Sequence, residues 1–279
     1  MISFKNKKML SILFGLILVF GIFYFVKNKK DSKMQENLVR YSGYFDDEIS
    51  KKLASAIVKG DEDGISKLVE QGADLQSVGK YSTTPLRVAL YTRQPKIFEF
   101  LLKLGANPNF ITPSGDTIAR HAIDPADSDG YNKIYGDIYL ELLLNYGLDP
   151  NLTPPSGAII LRTTTSTSDI SKKYDLLVAK GADLSVREPY SKHGLGFSFA
   201  GTAQYERLKD LIERGVDVTE KYTDKEGLIK DHVVDILVDH QKRFSESPNH
   251  PAVKARAEIL MLLKSKGVKI PEGVLGVVY

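Results

Sequence analysis

A serine with a small residue two positions away on each side has the spacing closest to that of a catalytic nucleophile in this 279-residue chain. The segment Gly196-Phe197-Ser198-Phe199-Ala200 partly matches the G-x-S-x-G turn, which exposes a nucleophilic serine between a strand and a helix. Alanine replaces the last glycine of that pattern, and no strand is predicted before it. The segment therefore predicts the packed beginning of a helix, and we predict no catalytic residue anywhere in the chain.

Two acidic clusters have residue types that bind metals. In the first, Asp-Ser-Asp-Gly at 127–130, a calcium loop would require ligands at Pro125 and Gly136, which carry none. The second lies on one predicted helix and consists of Asp231, His232, Asp235, Asp239 and His240. Its histidines are two turns apart, about 12 Å along the axis, which is too far to share a zinc ion. Both clusters predict solvated surface, so no metal and no cofactor is expected.

Charge and composition exclude other classes of site. The chain contains no cysteine, which excludes disulfides, thiolate metal sites and a cysteine nucleophile. Residues 1–33 hold seven of the 38 basic residues and one of the 35 acidic ones, so the remainder has a net charge of −3. A nucleic-acid-binding domain needs a basic face. We therefore predict no nucleic-acid partner.

Residues 9–26 form an 18-residue stretch without a charged side chain. A helix of this length approaches the thickness of a bilayer core, and lysines flank both ends. A cleaved signal peptide is the alternative, but the stretch ends without a small-residue cleavage site. We predict a short basic tail at 1–8, a transmembrane helix at 9–26 and a tether at 27–48. The positive charges on the two sides are nearly balanced, and the short tail favours the inner membrane of a bacterium with the body in the periplasm.

The body of the chain repeats one pattern six times. Each repeat has paired apolar residues, then a glycine, and usually an aspartate or asparagine two residues later, and the glycines are Gly72, Gly105, Gly147, Gly181, Gly215 and Gly267. Their spacings are 33, 42, 34, 34 and 52 residues. The apolar pairs predict the buried stripe of a helix, and the glycine predicts its left-handed C-terminal residue. Such units bury their apolar faces only against stacked neighbours.

The period and the Gly-Ala-Asp ending resemble the ankyrin repeat, as does Thr84-Pro85-Leu86-Arg87-Val88-Ala89 beside that family's T-P-L-H-x-A motif. The resemblance implies an all-α solenoid of about six helix pairs over residues 49–279, preceded by the transmembrane helix. In the family the threonine caps the first helix and the histidine bonds to a neighbouring repeat. Arg87 replaces that histidine here, so these bonds must differ.

The two long spacings predict insertions near 124–137 and 241–251, each in the turn between paired helices. Turn tips and first helices are the surfaces with which ankyrin-like arrays hold partners. The tips carry tyrosine and arginine, which often dominate interface energies. The predicted partner-binding residues are Tyr81, Arg87, Tyr91, Arg93, Phe110, Tyr190, Lys192, His193 and Tyr222.

These features predict a membrane-anchored, non-enzymatic module that binds another protein. The architecture is similar to ankyrin-repeat immunity proteins that neutralise secreted phospholipase effectors in the periplasm. That resemblance implies a toxin or enzyme as partner, with the repeats occluding its active site. The alternative is a scaffold or regulator that assembles or stabilises a membrane or envelope enzyme.

Overall fold

The computed structural model describes residues 4–123, 131–155, 157, 161, 171–187, 193–219, 221–223, 229–243 and 250–274. Within these residues the chain forms twelve α-helices, one short 3-10 helix and one two-stranded antiparallel sheet. The chain divides into two units, Met1–Thr112 and Pro113–Tyr279. Packed helix pairs recur in each unit.

The first unit contains a long helix followed by two helix pairs. Helix α1 is Phe4–Ser42, the first pair is α2 (Glu48–Lys59) with α3 (Glu62–Glu70), and the second is α4 (Pro85–Tyr91) with α5 (Pro95–Lys103). The 3-10 helix Lys80–Ser82 lies in the turn between the pairs. Helix α2 is central, because it packs against α1, α3 and α4.

The described residues of the second unit form seven helices and a two-stranded hairpin. The helices are α6 (Ile118–Ile123), α7 (Tyr131–Asn145), α8 (Ser171–Ala179), α9 (Leu195–Gly201), α10 (Tyr205–Glu213), α11 (His232–Arg243) and α12 (Pro251–Ser265). Strands β1 (Lys221–Thr223) and β2 (Ile229–Asp231) form the hairpin between α10 and α11, with Lys221 opposite Asp231. Helices α6 and α7, α9 and α10, and α11 and α12 pack as pairs.

The repeated glycines end helices, as the sequence predicts. Their φ angles lie between 83° and 101° at Gly72, Gly105, Gly147, Gly181, Gly215 and Gly267. The left-handed region is costly for residues with a Cβ atom, which explains why glycine recurs at this one position. The chain then turns sharply toward the next repeat.

Nearby residues also determine where a helix begins and which of its faces is apolar. Asp47 accepts a hydrogen bond from the amide of Ser50 at 2.8 Å, which caps α2. The apolar side chains of α2 recur at helical spacing, and Leu53 and Ile57 are almost completely buried. Burying each such side chain contributes about 1.5–3 kcal/mol. Packing between neighbouring pairs therefore stabilises helices too short to form alone.

The predicted transmembrane helix over residues 9–26 is wrong. Among the described residues, no helix combines the length and the apolar character needed to cross a membrane. Residues 9–26 belong to α1, a helix of 39 residues. That helix continues without a break through the basic segment 27–33 to Ser42.

The segment 27–48, predicted as a tether, consists of the end of α1, a short turn and the start of α2. Its first part is helical as the second half of α1. Tyr41 and Phe45 are 7% and 3% exposed, so the end of α1 and the turn after it belong to the core of the first unit. Asp47 then begins the first repeat as the cap of α2.

The two predicted insertions are only partly described, and the last repeat has longer helices than the second. Residues 124–130 of the first insertion and 244–249 of the second lie outside the described residues. Where the last repeat is described, α11 has 12 residues and α12 has 15, whereas α4 and α5 have 7 and 9. Part of the extra length of the last repeat therefore lies within its helices.

Candidate protein-binding surface

The turn that precedes α4 is held close to the end of α1. The amide of Gly79 donates to the carbonyl oxygen of Thr83 at 2.8 Å, which closes the turn. The amide of Lys80 donates to the carbonyl oxygen of Tyr44, also at 2.8 Å. A Cβ atom on Gly79 would lie 2.6 Å from that same carbonyl oxygen. Only glycine therefore allows the two backbones to approach this closely.

The tip of this turn has an uncommon backbone conformation. Tyr81 and Ser82 have φ angles of 57° and 58°, so two successive residues with side chains are left-handed. Each such residue costs on the order of 1–3 kcal/mol and persists only where surrounding contacts fix it. The conformation directs the Tyr81 side chain outward, where it is 77% exposed. Strain of this kind is concentrated at functional sites.

Arg87 supplies the contacts that fix the tip. Its Nη1 donates to the carbonyl oxygen of Tyr81 at 2.7 Å and to that of Ser82 at 3.3 Å. Thr84 accepts a hydrogen bond from the amide of Arg87 at 3.3 Å and caps α4, as the family pattern implies. The arginine in the histidine position thus bonds to its own turn in these contacts. Its guanidinium also lies 5.2 Å from the centre of the Tyr91 ring.

The end of α1, this turn and α4 enclose a cleft of about 300 Å³. We call it the tyrosine–arginine cleft, and it is lined by Arg40, Tyr41, Tyr44, Tyr81, Thr83, Arg87 and Tyr91. Edge-to-face contacts join the ring of Tyr44 to Tyr41 at 5.7 Å and to Tyr81 at 5.4 Å. Three tyrosines thus form a continuous aromatic row. Two of the predicted partner-binding tyrosines, Tyr81 and Tyr91, line the cleft together with Arg87.

The electrostatic character of the cleft is positive. Its lining includes two arginines and no carboxylate. Arg40 pairs with Glu36 one turn earlier on α1, at 3.0 Å, and both side chains are at least half exposed. Burial raises the pKa of Tyr41, and the neighbouring Arg40 partly offsets this rise. The cleft can therefore attract an anionic group while presenting aromatic faces.

Two further predicted residues of the first unit lie in turns. Arg93 follows α4 with a left-handed φ of 63° and is half-buried. Phe110 is half-buried in the turn after α5, where its amide donates to the carbonyl oxygen of Asn107. The amide of Asn107 in turn donates to the side chain of Gln76 at 3.0 Å, which links the turns of successive repeats. Neither residue lines the tyrosine–arginine cleft.

In the second unit the predicted residues are only partly described. His193 stacks on the ring of Phe197, with centroids 3.9 Å apart, and is half-buried. Tyr222 is in β1 opposite Lys230. Tyr190 and Lys192 lie outside the described residues. Their role in partner binding stays a prediction.

A groove of about 340 Å³ in the second unit is lined by residues of both charges, including Asp183, Arg187, Arg214 and Asp217. Asp217 accepts from the hydroxyl and the amide of Thr219 at 2.6 and 2.8 Å, and these bonds lower its pKa. Asp183 bonds in the same way to Ser185. These carboxylates stabilise their own turns, which explains their recurrence after the helix-ending glycines.

Polar side chains join neighbouring repeats of the second unit. Tyr174 on α8 donates to Asp210 on α10 at 3.3 Å, and burial together with that carboxylate raises the pKa of Tyr174. Arg207 pairs with Asp175 through both terminal guanidinium nitrogens, Nη1 and Nη2, at 2.6 and 3.1 Å. Its guanidinium also lies 4.7 Å from the centre of the Tyr174 ring. These contacts stabilise the stacking of one repeat on the next.

A second buried group surrounds Arg256 on α12, which is 2% exposed. Its Nε donates to the side chain of Gln241 at 2.8 Å, and its Nη1 donates to the hydroxyl of Tyr205 at 3.1 Å. That hydroxyl lies 3.4 Å from Nδ1 of His240. Burial and the charge of Arg256 lower the pKa of His240. His240, one of the residues weighed as a metal ligand, therefore contacts a structural network.

The other residues considered for chemistry have ordinary surroundings where they are described. Ser198 lies within α9, where Gly196 approaches Val218 so closely that a Cβ atom would lie 2.9 Å from that side chain. This packing agrees with the predicted helix beginning. Among the described residues, no group of three or more His, Asp or Glu side chains could hold a metal ion. The loop 127–130 lies outside the described residues.

The part of the cleft that comes from the end of α1 and the turn after it is not among the residues predicted from the sequence. Arg40, Tyr41 and Tyr44 fall in the segment predicted as a tether. The available signal was the apolar spacing of Tyr41 and Phe45, four residues apart and just before the cap Asp47. That spacing indicates a packed helix end rather than a solvated linker.

Comparison with known proteins shows the fold. The structure matches the crystal structure of the ankyrin repeat domain of Bcl-3, described as a unique member of the IkappaB protein family, with a TM-score of 0.58. The match covers 81% of this chain and 97% of that domain at 18% sequence identity. No family model matches the sequence, and the search of curated proteins gives no significant match. The chain therefore has the ankyrin-repeat fold that its glycine spacing predicted.

Proposed function

We propose that this chain is a protein-binding module and that the Tyr81 turn is part of its binding surface. The observation that carries the proposal is the exposed Tyr81 side chain on a left-handed turn that Arg87 fixes. An exposed aromatic residue gains contact area on binding at a low cost in side-chain entropy. The fixed turn lowers that cost further, because the residue is already held in one backbone conformation.

The ankyrin-repeat fold supports the same proposal. Its stacked turns present many side chains on one extended surface, which suits binding to another folded protein. Tyrosine and arginine are enriched among the residues that dominate interface energies. The described part of the chain has both residue types in the Tyr81 turn and in α4. We expect no catalytic activity from this surface.

Site-specific crosslinking in the producing cells tests the proposal. A photo-reactive phenylalanine is placed at position 81 of the full chain, and a matched variant carries it at position 243. Arg243 is exposed, and in the contacts described it pairs with Asp239, one turn earlier on the same helix, at 2.8 Å. We expect position 81 to give one dominant crosslinked protein that position 243 does not give. Identical products at both positions, or no product at position 81, would contradict the proposal.

The identity of the partner decides between the finer alternatives. The predicted occlusion of a toxic effector such as a phospholipase requires that the purified chain inhibit the crosslinked enzyme at equal molar amounts. A scaffold or regulator would leave that enzyme active or raise its stability. The predicted position of the repeats in the periplasm is a separate proposal, and a reporter enzyme active only in the cytoplasm, fused at the C-terminus, tests it. Activity of that reporter would contradict the periplasmic position.

A further inference from the structure

The tyrosine–arginine cleft has the size of a site for one or two side chains. Its volume of about 300 Å³ is at the lower end of ordinary ligand sites, which range from about 300 to 1,000 Å³. Its walls come from α1, the Tyr81 turn and α4. The close approach at Gly79 and the hydrogen bond from Lys80 to Tyr44 hold the first two walls together.

The chemistry of the lining favours an acidic group beside a flat or apolar one. Arg40 lies at the rim, and its pair with Glu36 is exposed on both sides. Exposed pairs between residues one turn apart are weak, so a carboxylate from a partner can replace Glu36. Arg87 adds a second positive charge, although its Nη1 is bonded to the turn carbonyls. The row Tyr41, Tyr44 and Tyr81 provides the aromatic faces.

We propose that this cleft binds a short acidic segment of the partner protein. One carboxylate of that segment pairs with Arg40, and the adjacent residue packs against the rings of Tyr44 and Tyr81. Arg87 acts as a positioning residue, because it holds the turn that carries Tyr81. This inference rests on the proposed protein-binding function, and it adds the chemistry of the segment and the contribution of α1. A positive lining without a carboxylate complements such a segment and disfavours a basic one.

Selection of displayed random 12-residue peptides against the full chain provides the probe. Selected peptides are synthesised with a fluorophore, and their dissociation constants are measured by fluorescence anisotropy. The variants are Arg40→Gln and Tyr81→Ala, with Arg243→Gln as the matched control. Arg40 and Arg243 each pair with a carboxylate four residues earlier on an exposed helix face, at 3.0 and 2.8 Å. Tyr81→Phe separates the ring from its hydroxyl.

We expect the selected peptides to share an aspartate or glutamate at one position. Arg40→Gln should weaken their binding about fivefold, and Tyr81→Ala about tenfold or more. Arg243→Gln should leave binding unchanged, and Tyr81→Phe should retain most of it. Changing the shared carboxylate to its amide should weaken binding to the wild-type chain but have little further effect on Arg40→Gln.

Three results would overturn the inference. The first is selection of peptides without a shared acidic residue, and the second is equal binding to the wild-type chain and both cleft variants. The third is the recovery of no binding peptide at all. Equal binding together with a dominant crosslink from position 81 would remove the acidic-segment proposal and leave the protein-binding proposal intact. Circular dichroism of each variant verifies that the fold is retained.

Discussion

Replacing Gly79 with alanine should uncouple the Tyr81 turn from the end of α1. Gly79 has a φ of −93°, which any residue adopts, so backbone strain does not enter. The added Cβ atom would lie 2.6 Å from the carbonyl oxygen of Tyr44 and 3.0 Å from its carbonyl carbon. Both atoms belong to the backbone, so no flexible side chain can rotate away. The two segments must move apart.

The size of the effect follows from what that movement breaks. Forcing one methyl group into a packed site typically costs about 1–3 kcal/mol. The hydrogen bond from the Lys80 amide to the Tyr44 carbonyl, 2.8 Å long, is lost as the segments separate, at about 1 kcal/mol. We therefore expect Gly79→Ala to lower the free energy of unfolding by about 2–4 kcal/mol.

Urea unfolding followed by far-UV circular dichroism measures this change, and hydrogen exchange at the Lys80 amide locates it. Gly201→Ala is the matched control, because a Cβ atom at Gly201 would meet nothing within 4 Å and its φ is not left-handed. Gly201 ends α9, where alanine should change stability by less than about 1 kcal/mol. If Gly79→Ala costs no more than Gly201→Ala, or if exchange at Lys80 is not accelerated, the argument for a tight approach at Tyr44 is refuted.

Three further predictions concern buried and half-buried polar groups. Arg87→Ala should lower the free energy of unfolding by about 1.5–3 kcal/mol, because the turn loses a charged hydrogen-bond donor, and Arg87→Lys should lower it less. Urea unfolding compares the two variants, and equal losses would contradict the role of the guanidinium. Tyr174→Phe should lower the free energy of unfolding by about 0.5–1.5 kcal/mol, because the hydrogen bond to Asp210 is lost, and urea unfolding measures this change. A stability equal to that of the wild type would show that this bond contributes nothing. The pKa of His240 is lowered below its unfolded value of 6.5, so the folded state favours the neutral ring. The stability contributed by that preference is therefore present above pH 6.5 and is lost as the pH falls below 6.5. His240→Gln should reduce this pH dependence in thermal unfolding measured from pH 7.5 to 5. An unchanged pH profile in the variant would contradict the role of His240.

The repeated units were predictable because their signals are local. A glycine that ends a helix, such as Gly72 or Gly105, is required by the φ angle at that one residue. The cap Thr84 and the proline after it similarly begin α4 through bonds within one turn. Such signals survive in a single sequence, because they depend on a few neighbouring residues.

The tyrosine–arginine cleft was only half predictable, because its walls come from separate segments. The turn pattern drew attention to Tyr81, Arg87 and Tyr91, but nothing near them in the sequence indicates Tyr41 or Tyr44. Their contribution depends on the packing of α1 against α2, which is a tertiary contact. The charge run after residue 26 predicts a boundary, whereas the helix continues through it.

The partner of Arg87 could not be derived from the family pattern either. In the ankyrin-repeat family a histidine in that position bonds to a neighbouring repeat, and its replacement by arginine predicts only that this bond differs. The left-handed pair Tyr81 and Ser82 turns two carbonyl oxygens toward one guanidinium nitrogen, and this geometry has no signal in the residue types. Backbone conformation at the tip thus decides what Arg87 binds.

Because Tyr41 and Phe45 are buried, the folded unit begins earlier in the chain than the first repeat does. Counted by its pattern, the first repeat begins near residue 49, but α2 packs against the end of α1 on one side and against α3 and α4 on the other. A chain that started at residue 49 would leave one side of α2 uncovered, with Leu53 and Ile57 on a helix that has lost a neighbour. Every stacked array needs a closing element at its end. The last turns of α1 and the turn after it provide that closure and contribute Arg40, Tyr41 and Tyr44 to the cleft. The residues that close the array are therefore also part of the proposed binding surface.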